Sequence, residues 1–198
     1  RKGDNGSENK IVDSESTATT TEKDLVYKVE KIPATSVKMP DLDRPLIKFE
    51  GENVTVNVTE KDVLTATTKV KELQTLLKKD PSNTANWLDL AMYQKMGGDY
   101  EGARSSWEYI SKVIPTDFVS LGNLGDLYAY YLKINTTAEF YYRKAIERAP
   151  TQVYLYVHLV RVYQDVFGDI TKAKLLVDEG LKNLPNDEVL LSIKESLN

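Results

Sequence analysis

The chain has 198 residues, 41% of them hydrophobic, with 30 acidic against 26 basic side chains and a formal net charge of −4. This allows one domain with a genuine core plus a polar tail, and offers no electrostatic footprint for nucleic acid or an anionic membrane surface. With no cysteine, disulfides, thiolate metal sites and cysteine nucleophiles are excluded, and no apolar run approaches the roughly 20 residues of a membrane span.

The sequence opens on Arg1-Lys2 and not on methionine. Such a start is expected either of an exported chain whose leading segment has been removed or of a sequence that begins part-way along a longer chain, and a basic start also suits the outer edge of a membrane anchor. Residues 1–23 are rich in Ser, Thr, Asn and charge and hold almost no large apolar side chain. They read as a polar arm that stays disordered unless a partner holds it.

Residues 24–59 change character. Leu25, Tyr27 and Val29 alternate with Val26, Lys28 and Glu30, the two-residue period of a strand. Pro33, Pro40 and Pro45 then break the chain into extended pieces. Ile47–Phe49 and Val54–Val58 flank Glu50-Gly51-Glu52-Asn53, which predicts a β-hairpin with Val54, Val56 and Val58 on one face. A lone hairpin is marginal in water. Its apolar face is expected to pack on the chain's own first helix or on a neighbouring molecule.

From Glu60 onward the period is helical. Val63, Leu64, Val70, Leu73, Leu76 and Leu77 mark a first helix over 60–80. Beyond it the chain repeats itself, in units 81–115, 116–150 and 151–185, with a closing helix over 186–198 that sets Leu190, Ile193 and Leu197 on one face. The prolines fall at Pro81, Pro115, Pro150 and Pro185, which are 34, 35 and 35 residues apart. The same step links Ala103 to Ala138 and Ala173, and Trp107 to Tyr142 and Val177. The second and third units carry one extra residue, expected at the turn between their helices. Small residues such as Ala91, Gly125 and Ala138 let paired helices approach closely, and Trp87, Trp107, Tyr128, Tyr142 and Tyr163 fill the space between them.

Trp87, Leu90, Ala91, Gly98, Tyr100, Ala103, Trp107 and Pro115 stand at the spacing of a tetratricopeptide repeat. The second unit answers with Leu121, Leu124, Gly125, Tyr128, Ala138, Tyr142, Ala145 and Pro150, and the third with Tyr156, Leu159, Val160, Tyr163, Ala173, Val177, Gly180 and Pro185. The stretch 82–198 therefore resembles the tetratricopeptide-repeat family. The resemblance implies an all-α fold, a right-handed helical-hairpin solenoid of three repeats with capping helices at both ends, preceded here by the extended arm. A pentatricopeptide RNA reader has repeats of similar length, but its expected basic surface is missing here.

The chemistry of an enzyme is not visible. His158 is the only histidine, and no nucleophile or orienting acid can be placed beside it from sequence, so it is expected to line a groove or satisfy a local hydrogen bond. Zinc-type ligand sets are lacking, and Asp41-Leu42-Asp43 does not have the loop pattern of a calcium hand. Phosphate-binding and dinucleotide motifs are absent, and Gly97-Gly98 reads as the turn within the first unit. No catalytic residue, metal or cofactor is expected.

The family resemblance implies that the first helix of each unit lines a concave groove for an extended peptide or a partner helix. It places Leu88, Met92, Lys95 and Met96 on the groove side of the first unit, and Val119, Gly122, Asn123, Asp126 and Tyr130 on that of the second. The third contributes Tyr154, His158, Arg161 and Asp165. Family members that clamp a chaperone's C-terminal carboxylate use Lys, Asn and Arg where this chain has Leu88, Met92, Asn123, Tyr154 and His158, so only the asparagine fits. The Met, Leu and Tyr side chains suit apolar or mixed peptides, the alternative being that some simply pack along neighbouring helices. Gly122 inside a helix costs about 1 kcal/mol relative to alanine, a cost that a closely approaching backbone or side chain would explain.

Asn-x-Ser/Thr sequences at Asn5, Asn53, Asn57 and Asn135 are possible acceptors for covalent glycans in an exported protein. Two functional expectations follow. The first is a self-assembling exported subunit that forms a filament or similar polymer, in which an arm carrying Leu25, Tyr27, Val29, Ile47, Phe49, Val54, Val56 and Val58 docks on a neighbouring solenoid. The second is a membrane-tethered extracytoplasmic adaptor that binds a different protein through its groove.

Overall fold

Caps and prolines divide the chain into its helices. Thr59 opens α1 (Glu60–Lys79) with a capping box: its hydroxyl accepts from the Asp62 N–H at 3.2 Å while the Asp62 carboxylate accepts from the Thr59 N–H at 3.1 Å. Asn83, Asp99, Asp169 and Asp187 cap α2 (Thr84–Met96), α3 (Tyr100–Val113), α7 (Ile170–Asn183) and α8 (Glu188–Ser196) by accepting a backbone N–H of the first turn. Between them lie α4 (Val119–Asp126), α5 (Asn135–Arg148) and α6 (Val153–Arg161). The computed structural model describes residues 37–50 and 58–197; the helices begin at Glu60, and no strand occurs among the described residues.

Each helix packs on its neighbours in the chain, α1 on α2, α2 on α3, and so on to α7 on α8. The hydrogen bonds recur with the sequence. Asp80, Ile114, Ala149 and Leu184 each donate their N–H to the carbonyl four residues earlier. Asn83, Asp117, Gln152 and Asp187 each donate to the carbonyl three residues earlier, closing a turn with a proline at its second position. Trp87 Nε1 and Tyr156 Oη both donate to the carbonyl of the proline six residues before them, Pro81 and Pro150, at 2.9 Å.

The extra residue of the second and third units is not at the turn, where sequence reasoning expected it. It is absorbed within the first helix of each unit, as π-helical turns Leu127–Tyr131 after α4 and Val162–Phe167 after α6. A π turn holds one residue more than an α turn, so the insertion leaves the following connection no longer than that of the first unit. The connections also share a left-handed residue, Gly98 (φ 85), Lys133 (φ 58) and Gly168 (φ 66), at one residue of each. Lysine is the strained occupant there.

The core runs through the helical pairs. Trp107, Tyr142, Tyr156, Tyr163, Leu124, Leu155 and Val177 are buried in one cluster. A Cβ on Gly125 would come within 2.5 Å of the Tyr142 ring, so only glycine admits that contact. At the far end α8 buries Leu190, but Leu191 is 41% exposed where Trp87, Leu121 and Tyr156 are buried in the other units. Lys194 pairs with Asp178 at 2.8 Å and presents charge outward.

The segment 37–50 is a strap on the chain's own helices. Leu42 is buried with Val70, Leu73, Leu77, Trp87, Leu90 and Ile110. The Arg44 guanidinium donates twice to the Asp99 carboxylate, at 2.7 and 3.3 Å, and its carbonyl accepts from Gln74 Nε2 at 2.7 Å. The Phe49 N–H donates to the Gly98 carbonyl at 2.8 Å, with the Phe49 ring 5.6 Å from that of Tyr100. Ile47–Phe49 thus lies along a helix connection and carries no strand, in contrast to the expected hairpin. Of its expected partner strand only Val58 is described, half-buried and lining a recess of ≈ 410 Å³ beside Val63 and Leu64. Leu25, Tyr27, Val29, Val54 and Val56 lie outside the described residues.

Lys133→Gly should raise the unfolding free energy by about 0.5–1 kcal/mol and Gly168→Ala, with open space around its Cβ, should lower it by about 1 kcal/mol, both read from urea midpoints. Leu42→Ala should cost about 2–4 kcal/mol. A Leu42→Ala midpoint equal to that of the parent chain would show that the strap is not seated.

Candidate protein-binding groove

The first helices α4 and α6 lie side by side, as Gly122 of α4 against Leu155 of α6 (3.2 Å from an added Cβ) and Phe118 against Tyr154 (ring centroids 6.3 Å) require. With α2 they present the expected groove residues unevenly. Met92 is 46%, Val119 40% and Tyr154 41% exposed, while Leu88, Met96, Asn123 and Tyr130 are half-buried and Arg161 and Asp165 exposed. Gly122 is buried, closed by Leu155 of the chain's own α6, so its lack of a side chain serves helix packing. The Lys95 ammonium sits over the rings of Trp107 and Tyr131, at 5.8 and 5.4 Å, a cation–π contact that leaves its stem covering the core.

Asp126 ties the groove to the core. Its carboxylate accepts a hydrogen bond from the Tyr142 hydroxyl, which crosses from α5. His158 Nδ1 stands 3.6 Å from the same carboxylate, too far for a hydrogen bond, and 5.9 Å from Tyr154 by ring centroids. Trp107 occupies in the first unit the place of Tyr142, and Met92 the place of Asp126. A thioether is a weak acceptor, and the Trp107 indole N–H is buried without a partner.

Sequence reasoning missed the end of this surface. A recess of ≈ 400 Å³ is lined by Val157, Arg161 and Gln164 from α6 and its π turn, and by Val189, Ser192 and Ile193 from α8. The closing helix therefore continues the row of first helices. Its proline-spaced start, Pro185 with the Asp187 cap, carried the same register as Pro150 and Gln152 and was the available sequence clue.

Among the described residues no group of three or more His, Asp or Glu side chains is placed to hold a metal ion, and no helix is long and apolar enough to cross a membrane. Asn135 is exposed at the first residue of α5, whereas Asn5, Asn53 and Asn57 lie outside the described residues. No protein-family model matches the chain, and no curated protein matches it either.

The buried and half-buried tyrosines give the fold an alkaline limit. Burial pushes Tyr130, Tyr131, Tyr141, Tyr142, Tyr156 and Tyr163 above the ordinary phenol value, with the Asp126 charge adding to the effect on Tyr142 and Tyr130. A folded-state value above the unfolded one, about 10 for tyrosine, means that the unfolded chain releases these protons first. Their contribution is therefore complete below about pH 10 and is lost as the pH climbs beyond it. Helical circular dichroism and phenolate absorbance followed from pH 8 to 12 should change together in one cooperative step. Phenolate from all 12 tyrosines appearing with the helices intact would contradict the burial of these rings.

Proposed function

We propose that this chain is a non-enzymatic tetratricopeptide-repeat scaffold, a self-assembling exported subunit of a filament or similar polymer. In this reading the repeats form a solenoid, the arm ahead of the strap docks on a neighbouring solenoid, and Asn135 is open to a covalent glycan. The observation that carries it is the surface of the first helices. Met92, Val119, Tyr154 and Val189 leave apolar side chains about half exposed along α2, α4, α6 and α8, a surface suited to another polypeptide. The hydrogen bonds repeated at the proline-to-proline step support the repeat assignment.

The adaptor reading has its own support. Leu42, Arg44 and Phe49 are seated on the chain's own helices, which leaves the residues before the strap as the arm for a neighbour, or as a spacer from a membrane. Mass separates the two. Under the assembly reading, light scattering of the full chain at micromolar concentration gives particles of many subunit masses, and electron microscopy shows filaments. Removing residues 1–36, which spares the strap, returns a folded monomer. Measuring the mass before and after amide-glycosidase treatment reports the glycan at the same time. A full chain that stays at one subunit mass favours the adaptor.

A further inference from the structure

Val119, Tyr154 and Val189 hold one position in successive units, each 35 residues after the last, and are 40%, 41% and 50% exposed. They stand near the starts of α4, α6 and α8, so the row runs across the helices. Packed helices are spaced about 8–10 Å apart, which sets the interval of the row. The same three helices and their π turns carry Asp126, Asp165, Glu188 and Glu195 against the cations Arg161 and Lys194, the latter paired with Asp178. The row continues into the recess where Val189 and Ile193 face Val157.

A polypeptide that fits this row is extended, apolar at every third residue and basic in between. Three residues of extended or polyproline II chain span about 9–10 Å, the interval of the row. The N-terminal arm contains that pattern once. In Val26-Tyr27-Lys28-Val29-Glu30-Lys31-Ile32 the apolar residues Val26, Val29 and Ile32 recur every third residue, and Lys28 and Lys31 alternate with them.

We infer that the row Val119, Tyr154, Val189 is the seat for residues 26–32 of a second copy of the chain. Val26, Val29 and Ile32 each meet one helix, and Lys28 and Lys31 complement the excess of carboxylates on those helices. The inference rests on the self-assembly reading and names both the docking segment and its seat. In either direction of the segment Val29 is central and falls on Tyr154.

The cysteine-free sequence allows a clean test. Full-length Val29→Cys and full-length Tyr154→Cys, carrying tags of different mass, are mixed and oxidised, and mixed disulfides are read on a non-reducing gel. Any such bond is between molecules. Val29→Cys with Leu175→Cys, a 62% exposed position on α7, is the control. Docking holds the two thiols together, so the Tyr154 pair should form on the order of tenfold more mixed disulfide than the control. Equal yields, or none, overturn the inference. Light scattering of the parent chain then locates the failure: a polymer means that self-assembly stands on another surface, and a monomer means that both proposals fall.

Discussion

The close approach of Gly125 to the Tyr142 ring is the constraint on which the rest of the molecule depends. A helical pair has no interior of its own until something lets two backbones come together, and the absent Cβ does so here. The same two positions hold Ala91 with Trp107 in the first unit and Val160 with Val177 in the third, all in one buried cluster. A small residue is thus matched with a large one, and a medium residue with a medium one. Volume is conserved from unit to unit although identity is not, as a continuous close-packed core demands.

That packing reaches the surface through Tyr142. Its ring fills the core beside Gly125 and its hydroxyl donates to Asp126, so a groove carboxylate is oriented by the contact that sets the helix spacing. In the first unit Trp107 has no such acceptor, and Met92 lies where the carboxylate would be. The groove consequently changes character along its length, from thioether and lysine over aromatic rings at α2 to carboxylates and tyrosines at α4 and α6. A partner lying along it would meet different chemistry at each unit.

Much of the fold was legible because prolines, caps and buried small residues act locally. Pro81, Pro115, Pro150 and Pro185 end helices wherever they stand, and the helix limits followed from them to within a few residues. What was illegible depended on distant partners. An extra residue between Gly125 and Ala138 is evident in sequence, but only the need to keep those two in register with the other helix places it in a π turn. The alternation around Ile47–Phe49 resembles a hairpin, whereas its actual partners are the Gly98 carbonyl and the Tyr100 ring some 50 positions away. The groove suffered in the same way. Gly122 was assigned to it and faces Leu155, while Val157 and α8 were left out and line its last recess.

The strap bears on how an arm would work in the proposed assembly. Association must first overcome an estimated 4–15 kcal/mol of lost freedom, and three small apolar side chains contribute about 1.5–3 kcal/mol each when fully buried. A segment of that size binds weakly if it also has to order its own tether. Here Leu42, Arg44 and Phe49 fix the chain on its own helices from Leu42 onward, so in the proposed assembly the strap itself would not have to order on docking. In the proposed assembly the Arg44–Asp99 pair would serve the intermolecular step, because it confines the strap in cis without occupying the row Val119, Tyr154, Val189. A donor arm at one place and an acceptor row at another also make the contact heterologous, and such contacts continue into a polymer unless the rotation closes them into a ring.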